Sequence, residues 1–163
     1  MTAIRLRNYE NADAERLNRI AISAFDQFRH HYEDWPAMLA GLSKTSDLSA
    51  SGEFIIAELE DEFAGAVAYF GPNSQKAALF DQRWPIIRML VVDPSARGKG
   101  LGRQLTEECL RRAERDQSGV IALHTTPIMT VALPMYLRMG FVRVGEAPDI
   151  LGVPYAVYVK ALG

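Results

Sequence analysis

Between Ile86 and Arg103 the chain reads I-I-R-M-L-V-V-D-P-S-A-R-G-K-G-L-G-R. Few backbones accept that order. An almost unbroken apolar run stops at Asp93-Pro94, and glycines follow at alternate positions, Gly98, Gly100 and Gly102, among Arg97, Lys99 and Arg103. An amphipathic pattern then begins at Leu101. A strand covered on both faces, a glycine-rich turn and the first turn of a helix satisfy all three parts. That arrangement aims unpaired backbone N–H groups and the positive end of a helix dipole at one point, which suits a phosphate or pyrophosphate.

The remaining composition narrows the partners. Of 163 residues, 48% are hydrophobic and 23% charged, with 18 basic against 20 acidic side chains. This is an ordinary globular composition of one-domain length, residues 1–163. Its net charge of −2 gives no bulk attraction to nucleic acid or to an anionic membrane. The single cysteine, Cys109, excludes an intrachain disulfide and reads as a small core residue. The N-terminus lacks a signal-peptide core, and no apolar run approaches the ~20 residues of a membrane span. A cytoplasmic protein is the expectation.

Along the chain, Ile4 to Arg7 alternates as a strand. Asn11 or Asp13 is placed to cap a helix carrying Leu17, Ile20, Ala21, Ala24 and Phe25 on one face. A second helix is expected over Asp26 to Leu42, broken near Pro36, and a polar loop over Gly41 to Gly52. Glu53–Leu59 and Phe63–Phe70 form a hairpin. After an irregular segment comes the Pro85–Val92 strand, and then a helix with Leu101, Leu105, Cys109 and Ala113 in one stripe and Glu107–Arg111 and Glu108–Arg112 as outward pairs. Ser118-Gly119 ends it. Val120–Thr125 is a strand, Thr130–Met139 a helix stopped by Gly140, and Phe141–Val144 and Tyr155–Val159 are strands joined by a loop. The strand–helix–strand crossover from Ile86 to Thr125 implies a parallel pair inside a mixed sheet.

The glycine loop fits neither common nucleotide signature. A dinucleotide loop, G-x-G-x-x-G, fails because Arg103 or Leu105 occupies the last position. A Walker loop fails because Gly100 follows Gly98-Lys99 where Ser or Thr is required. What remains is Arg97-x-x-Gly100-x-Gly102 after a strand ending V-D-P. This resembles the pyrophosphate motif of the GNAT superfamily, the acyl-CoA-dependent N-acetyltransferases. Ala132, Tyr136, Gly140 and Phe141 match a second motif of that family, A-x-x-x-Y-x-x-x-G-F, and the two matches cover Ile86 to Val144.

The resemblance implies an α+β fold of three layers, αβα. Its mixed, mostly antiparallel sheet would carry a splayed parallel central strand pair flanked by helices. It implies acetyl-CoA as cosubstrate, with the pantetheine arm along Leu90, Val91 and Val92 and the phosphates on Arg97, Gly98, Lys99, Gly100, Leu101, Gly102 and Arg103. Met129 or Thr130 stands where many relatives carry an asparagine that touches the arm. Tyr136 falls where the family places a tyrosine hydroxyl beside the thioester sulfur, as general acid. An N–H near Leu90 or Val91 would receive the charge that develops on the carbonyl oxygen.

The acceptor side is less determined. His124 is the nearest titratable residue for a general base, or else a hydrogen-bonded strand histidine. Glu33, Asp34, Asp81 and Asp149 lie in segments that wall the acceptor site in similar folds. Trp84 and Phe80 offer an aromatic wall, as do Tyr32 and Trp35. His30 and His31, being adjacent, point apart and do not make a metal site, so no metal is expected. Arg88 is the odd residue in an apolar strand. It either forms an internal ion pair or points into the acceptor pocket and binds a carboxylate, which would favour an amino acid or peptide over a polyamine. The expected reaction is acetyl transfer to a primary amine of a small molecule or peptide by direct attack. The alternative is a non-catalytic acyl-CoA-binding or regulatory module. A homodimer is the expected assembly by the same resemblance, and no nucleic-acid or membrane partner is expected.

Overall fold

The computed structural model describes residues 3–163. Seven strands form one sheet: β1 (Ile4–Asn8), β2 (Glu53–Leu59), β3 (Glu62–Phe70), β4 (Ile86–Val92), β5 (Val120–Thr125), β6 (Val142–Ile150) and β7 (Val153–Ala161). Their spatial order is β1-β2-β3-β4-β5-β7-β6. Every neighbouring pair is antiparallel except β4 and β5. Helices α1 (Ala14–Phe25) and α2 (Trp35–Leu42) cover one face, and α3 (Leu101–Arg115) and α4 (Ala132–Arg138) cover the other. The mixed three-layer α+β fold expected from the sequence is the one observed.

Strand alternation divides the core. Phe54 and Ile56 of β2 and Ala66, Ala68 and Phe70 of β3 pack towards α1 and α2, where Leu17, Ile20, Ala21, Ala24 and Phe25 meet them. Ile55, Ala57, Val67 and Tyr69 pack the other way, against the α3 stripe of Leu101, Leu105, Cys109 and Ala113. Burying a full apolar side chain on either face contributes roughly 1.5–3 kcal/mol.

One strand breaks this alternation. Opposite Val67 of β3, between the Ala66↔Val91 and Ala68↔Arg88 pairs, β4 carries two residues, Met89 and Leu90. This is a β-bulge, and Met89 sits at φ +53 within it. Ile86 and Ile87 occupy opposite faces as a regular strand requires, whereas after the bulge Met89 and Val91 share the α1/α2 face and Leu90 and Val92 the α3/α4 face. β4 pairs with β5 only at Ile86↔Ala122. Beyond that point the two parallel strands separate.

Several local details differ from the sequence reading. The segment 26–42 is not one kinked helix: a 3₁₀ turn, Asp26–His31, precedes α2, and Pro36 lies in the first turn of α2, where its missing N–H costs nothing. Asp34 caps α2 by accepting the Ala37 N–H at 3.0 Å. Neither Asn11 nor Asp13 caps α1 through its side chain. Asp13 instead takes a bidentate bond from Arg7, at 2.8 Å each. The polar segment after Gly41 contains a 3₁₀ turn, Thr45–Ala50. On α3, Glu108 receives both Arg111 and Arg112, and Glu107 faces Arg103 instead.

The largest difference is at the C-terminal end. The segment read as a loop, from Gly145 to Pro154, is mostly strand. β6 and β7 continue to a two-residue turn at Leu151 (φ +44) and Gly152 (φ +83), with irregularities between Arg143 and Gly145 and between Ala147 and Ile150. A Cβ at position 152 would overlap the Glu33 side chain, and the Glu33 N–H donates to the Leu151 carbonyl at 2.9 Å.

Both long-range helices on the α3/α4 face stop in the same way. At α4, Gly140 (φ +99) turns the chain while the Phe141 N–H reaches the Tyr136 carbonyl at 3.0 Å. At α3 the equivalent left-handed position is Gln117 (φ +60), not the glycine two residues later, with the Ser118 N–H on the Ala113 carbonyl at 2.9 Å. A side-chain-bearing residue in that conformation costs ~1 kcal/mol relative to glycine. Gln117→Gly is therefore expected to raise unfolding stability by at most about 0.5 kcal/mol once the roughly 0.4–1 kcal/mol entropy of the freer unfolded chain is discounted. Urea unfolding midpoints of the two proteins check this, and an unchanged or lower midpoint would count against it.

Candidate active site

Two cavities meet where β4 and β5 part. Both are walled in part by Phe25, Leu90, Met129 and Ala132. Their contents differ, and the difference originates in the strand–turn–helix segment that follows β4.

The first cavity, about 520 Å³, lies over the start of α3. Asp93 ends β4 by accepting the Ser95 N–H at 2.9 Å, and Pro94–Ala96 form a short 3₁₀ turn. Gly98 (φ +77) and Gly100 (φ +87) then swing the chain into α3 through left-handed conformations that other residues adopt at a cost. A Cβ at either would meet no atom within 4 Å, so open space stands in front of both. Among the described residues, the N–H groups from Gly98 to Arg103 find no acceptor in the chain. Arg97, Arg103 and Arg138 line the cavity and no carboxylate does. Free N–H groups, a helix N-terminus and three arginines, of which Arg103 also lies 3.6 Å from Glu107, match a pyrophosphate in charge and hydrogen-bonding capacity.

Of the residues assigned to this ligand from sequence, Leu90, Val92, Arg97, Gly98, Gly100, Leu101, Gly102, Arg103 and Met129 line the cavity. Two do not. Val91 is 1% exposed and points into the core on the α1/α2 face, because the bulge fixes which residues face the gap. Lys99 is exposed and lies outside the lining. Arg97 also donates to the Ala24 carbonyl at 3.2 Å, fastening the loop to the end of α1. Phe28, Met135 and Arg138 join the wall without a local sequence signal, since they arrive from other elements.

The second cavity, about 430 Å³, is enclosed by α2, β4, β5, α4 and the β6–β7 turn. Its walls are largely apolar, with Met38, Leu42, Leu48, Met89 and Ile150 among them. Three residues singled out in the sequence come together here: Arg88, His124 and Tyr136. Tyr136 is buried beside Phe141, with ring centroids 5.6 Å apart. Burial raises its phenol above the ordinary range, with nearby Cys109 adding to the effect. His124 lies between the rings of Phe80 (5.6 Å) and Tyr155 (5.4 Å). Its Nδ1 is buried without a hydrogen-bond partner among the described residues. Tyr155, which no sequence pattern marked, lines the cavity and shares a 2.6 Å hydroxyl–hydroxyl bond with buried Tyr32.

Arg88 resolves one alternative. Among the described residues no carboxylate lies within 4.0 Å of its guanidinium, so the internal ion pair is not formed. Other assignments need correction. Glu33 and Trp84 do not line the cavity. Glu33 is exposed and rests over Gly152, and Trp84 packs half-buried outside the lining. Asp34 is occupied by its cap, Asp81 bonds Arg83 at 2.7 Å, and Asp149 is exposed. Phe80 supports His124 from behind rather than forming a wall. His30 and His31 stack on each other, 4.3 Å apart, on the surface.

A sequence model described as the acetyltransferase (GNAT) family matches residues 14–141. The chain belongs to that family. It is 30% identical over 151 residues to the mycothiol acetyltransferase of Rothia mucilaginosa, an alignment that covers 85% of this chain; the chain spans only 41% of that relative's length. Solved structures share the fold. One is a GNAT family acetyltransferase of Staphylococcus aureus, 18% identical, with a TM-score of 0.75 over 99% of this chain and 100% of that one. Another is a GNAT family acetyltransferase of Elizabethkingia anophelis with acetyl-CoA bound, 14% identical, with a TM-score of 0.70 over 98% of each chain.

In this GNAT protein the electrostatics of the second cavity have a consequence for stability. Burial, and secondarily the charge of Arg88, lower the His124 pKa from 6.5 to about 4. The folded chain thus resists a proton that the unfolded chain accepts. Stability is full above pH 6.5 and is lost as pH falls from 6.5 towards 4, by about 2 kcal/mol between pH 7 and pH 5. Replacing His124 by Gln should flatten that slope. Denaturant midpoints at pH 7 and 5 measure it, and an equal loss in the variant would assign the effect elsewhere.

Proposed function

We propose that the protein transfers an acetyl group from acetyl-CoA to a primary amine of a small molecule or peptide. The observation that carries this reading is the meeting of two unlike cavities at Leu90, Met129 and Ala132. One is suited to an anion and a long apolar arm, the other to a small acceptor. A thioester lying across the gap between β4 and β5 would present its carbonyl carbon to the second cavity.

Acetyl-CoA supplies the acyl group in activated form. The chain's own groups then have three tasks. The loop from Arg97 to Arg103 holds the phosphates, and the separated edge of β4 along Leu90 and Val92 receives the arm. An N–H near Leu90 or Val91 donates to the carbonyl oxygen as negative charge grows on it. Tyr136 supplies a proton to the departing sulfur. The same burial that keeps its phenol protonated also makes a thiolate beside it more basic than in water, so the transfer is matched. The balance is simple. The acceptor enters as an ammonium and releases one proton to solvent. A C–N bond forms, the C–S bond breaks, and the second amine proton replaces the one given up by Tyr136.

His124 supports orientation better than proton storage. With a pKa of about 4 it is neutral at physiological pH and too weak a base to hold an alkylammonium proton. This favours release of the first proton to water before attack.

A panel of primary amines assayed by release of free CoA thiol tests the reading. Turnover with at least one class is expected. Tyr136→Phe should lower kcat roughly 10²–10⁴-fold, the usual contribution of a general acid. Thermal stabilisation by acetyl-CoA should be retained in that variant. A kcat within about threefold of wild type would remove Tyr136 from the mechanism. Acetyl-CoA binding without thiol release from any amine would favour a binding or regulatory module instead.

A further inference from the structure

The charge in the acceptor cavity is one-sided. Its lining contains Arg88 and, at the exposed rim, Lys44, together with His124; it contains no aspartate or glutamate. The rest is mostly apolar. We propose that the acceptor is an amine that also carries a carboxylate on an apolar body, such as a hydrophobic amino acid, and that Arg88 and His124 hold the carboxylate. This rests on the transfer reading and specifies the substrate class of the same site.

The β4 bulge is the first reason. Arg88 precedes Met89 directly, and both line the same cavity, although neighbouring residues of a regular strand face opposite ways. The bulge therefore turns Met89 onto the face that Arg88 already occupies by alternation from Ile86, and the guanidinium stands on an apolar wall. Arg88 is only partly exposed, and no side chain or carbonyl of the described residues accepts from it. A cation so placed has lost much of its hydration without gaining a partner, a costly condition that an incoming anion relieves. Its fork of donors matches a carboxylate in two-point geometry.

His124 gives the second reason. Its sealed nitrogen is Nδ1, which has no partner. Leaving a lone pair there costs less than leaving a buried N–H without an acceptor. The favoured tautomer thus carries its proton on Nε2, the nitrogen left to face the cavity that His124 lines. A neutral imidazole donating from Nε2 beside a guanidinium forms a second contact for the same anion.

The third reason is exclusion. A polyamine or aminoglycoside would bring further positive charge against Arg88 and Lys44 with no acid to receive it. A single ammonium in the same field has its protonated form disfavoured. That helps deliver the neutral amine needed for attack in a site without a carboxylate base.

The test compares leucine or phenylalanine, the corresponding amides and the decarboxylated amines, by thiol release and by calorimetry in the presence of CoA. In the wild type, removing the carboxylate charge should lower kcat/KM on the order of 100-fold, as for loss of a charge-assisted pair. In Arg88→Met the carboxylate and amide should converge to within about threefold, with acetyl-CoA stabilisation unchanged as the folding control. Arg88→Lys, which keeps the charge but not the fork, should fall between and serves if the Met variant is unfolded. Wild-type indifference to the carboxylate overturns the proposal, as does a preference that survives in Arg88→Met. No thiol release from any amine, with calorimetry still favouring the carboxylate through Arg88, would overturn the transfer reading and keep the site.

Discussion

Everything in this protein depends on how little β4 and β5 hold each other. β4 is paired along its length with β3, yet its ladder with β5 holds the one pair Ile86↔Ala122 among the described residues. A parallel pair normally continues its ladder, and abandoning it leaves backbone groups without partners. The bulge at Met89 enforces the separation by adding a residue to β4 opposite Val67. A methionine at φ +53 is strained by about 1 kcal/mol. The surrounding sheet is packed well enough on both faces to sustain that strain. From it come the gap, the two cavities that meet there and the reversal that places Arg88 beside Met89.

Charge then distinguishes the two sides of the gap. Among the described residues, no acid lines either cavity. On the α3 side, backbone N–H groups and arginines are spread along a loop that a chain of phosphates can follow. On the α2 side a guanidinium and an imidazole stand at one end of an apolar chamber. On the proposed reading, these two anion-seeking regions orient both reactants so that their reactive ends point inwards. In the proposed reaction the chamber supplies position and field, and Tyr136, a buried phenol of its lining, supplies the proton.

The sequence exposed the features that arise from contiguous residues. The α1 stripe and the α3 stripe correspond to the buried residues of those helices, because 3.6-residue periodicity survives any tertiary context. The glycine loop was legible because alternate glycines have few other uses. Arg88 was conspicuous by being charged where its neighbours are not. The bulge was illegible, since nothing in I-I-R-M-L-V-V marks Met89 as left-handed. The β6–β7 hairpin was half-hidden because its bulges and Pro148 interrupt the period-two pattern by which strands are recognised. Gln117 took a position where a glycine was expected for the same kind of reason: the Schellman hydrogen bonds fix the turn, whatever residue stands there. The acceptor side was read least well, for Glu33 and Trp84 are carried away from the cavity by chain paths that no local pattern records, and Tyr155 is carried into it.

The overlap between Glu33 and position 152 has an evolutionary meaning. The β6–β7 turn can keep its shape only while residue 152 lacks a side chain or residue 33 withdraws. Two positions far apart in the gene are thus tied in their permitted changes. A lineage that places a side chain at 152 would have to move or shorten residue 33 as well. The side chains that position 152 can accept are therefore limited twice, by Glu33 above it and by its own left-handed backbone.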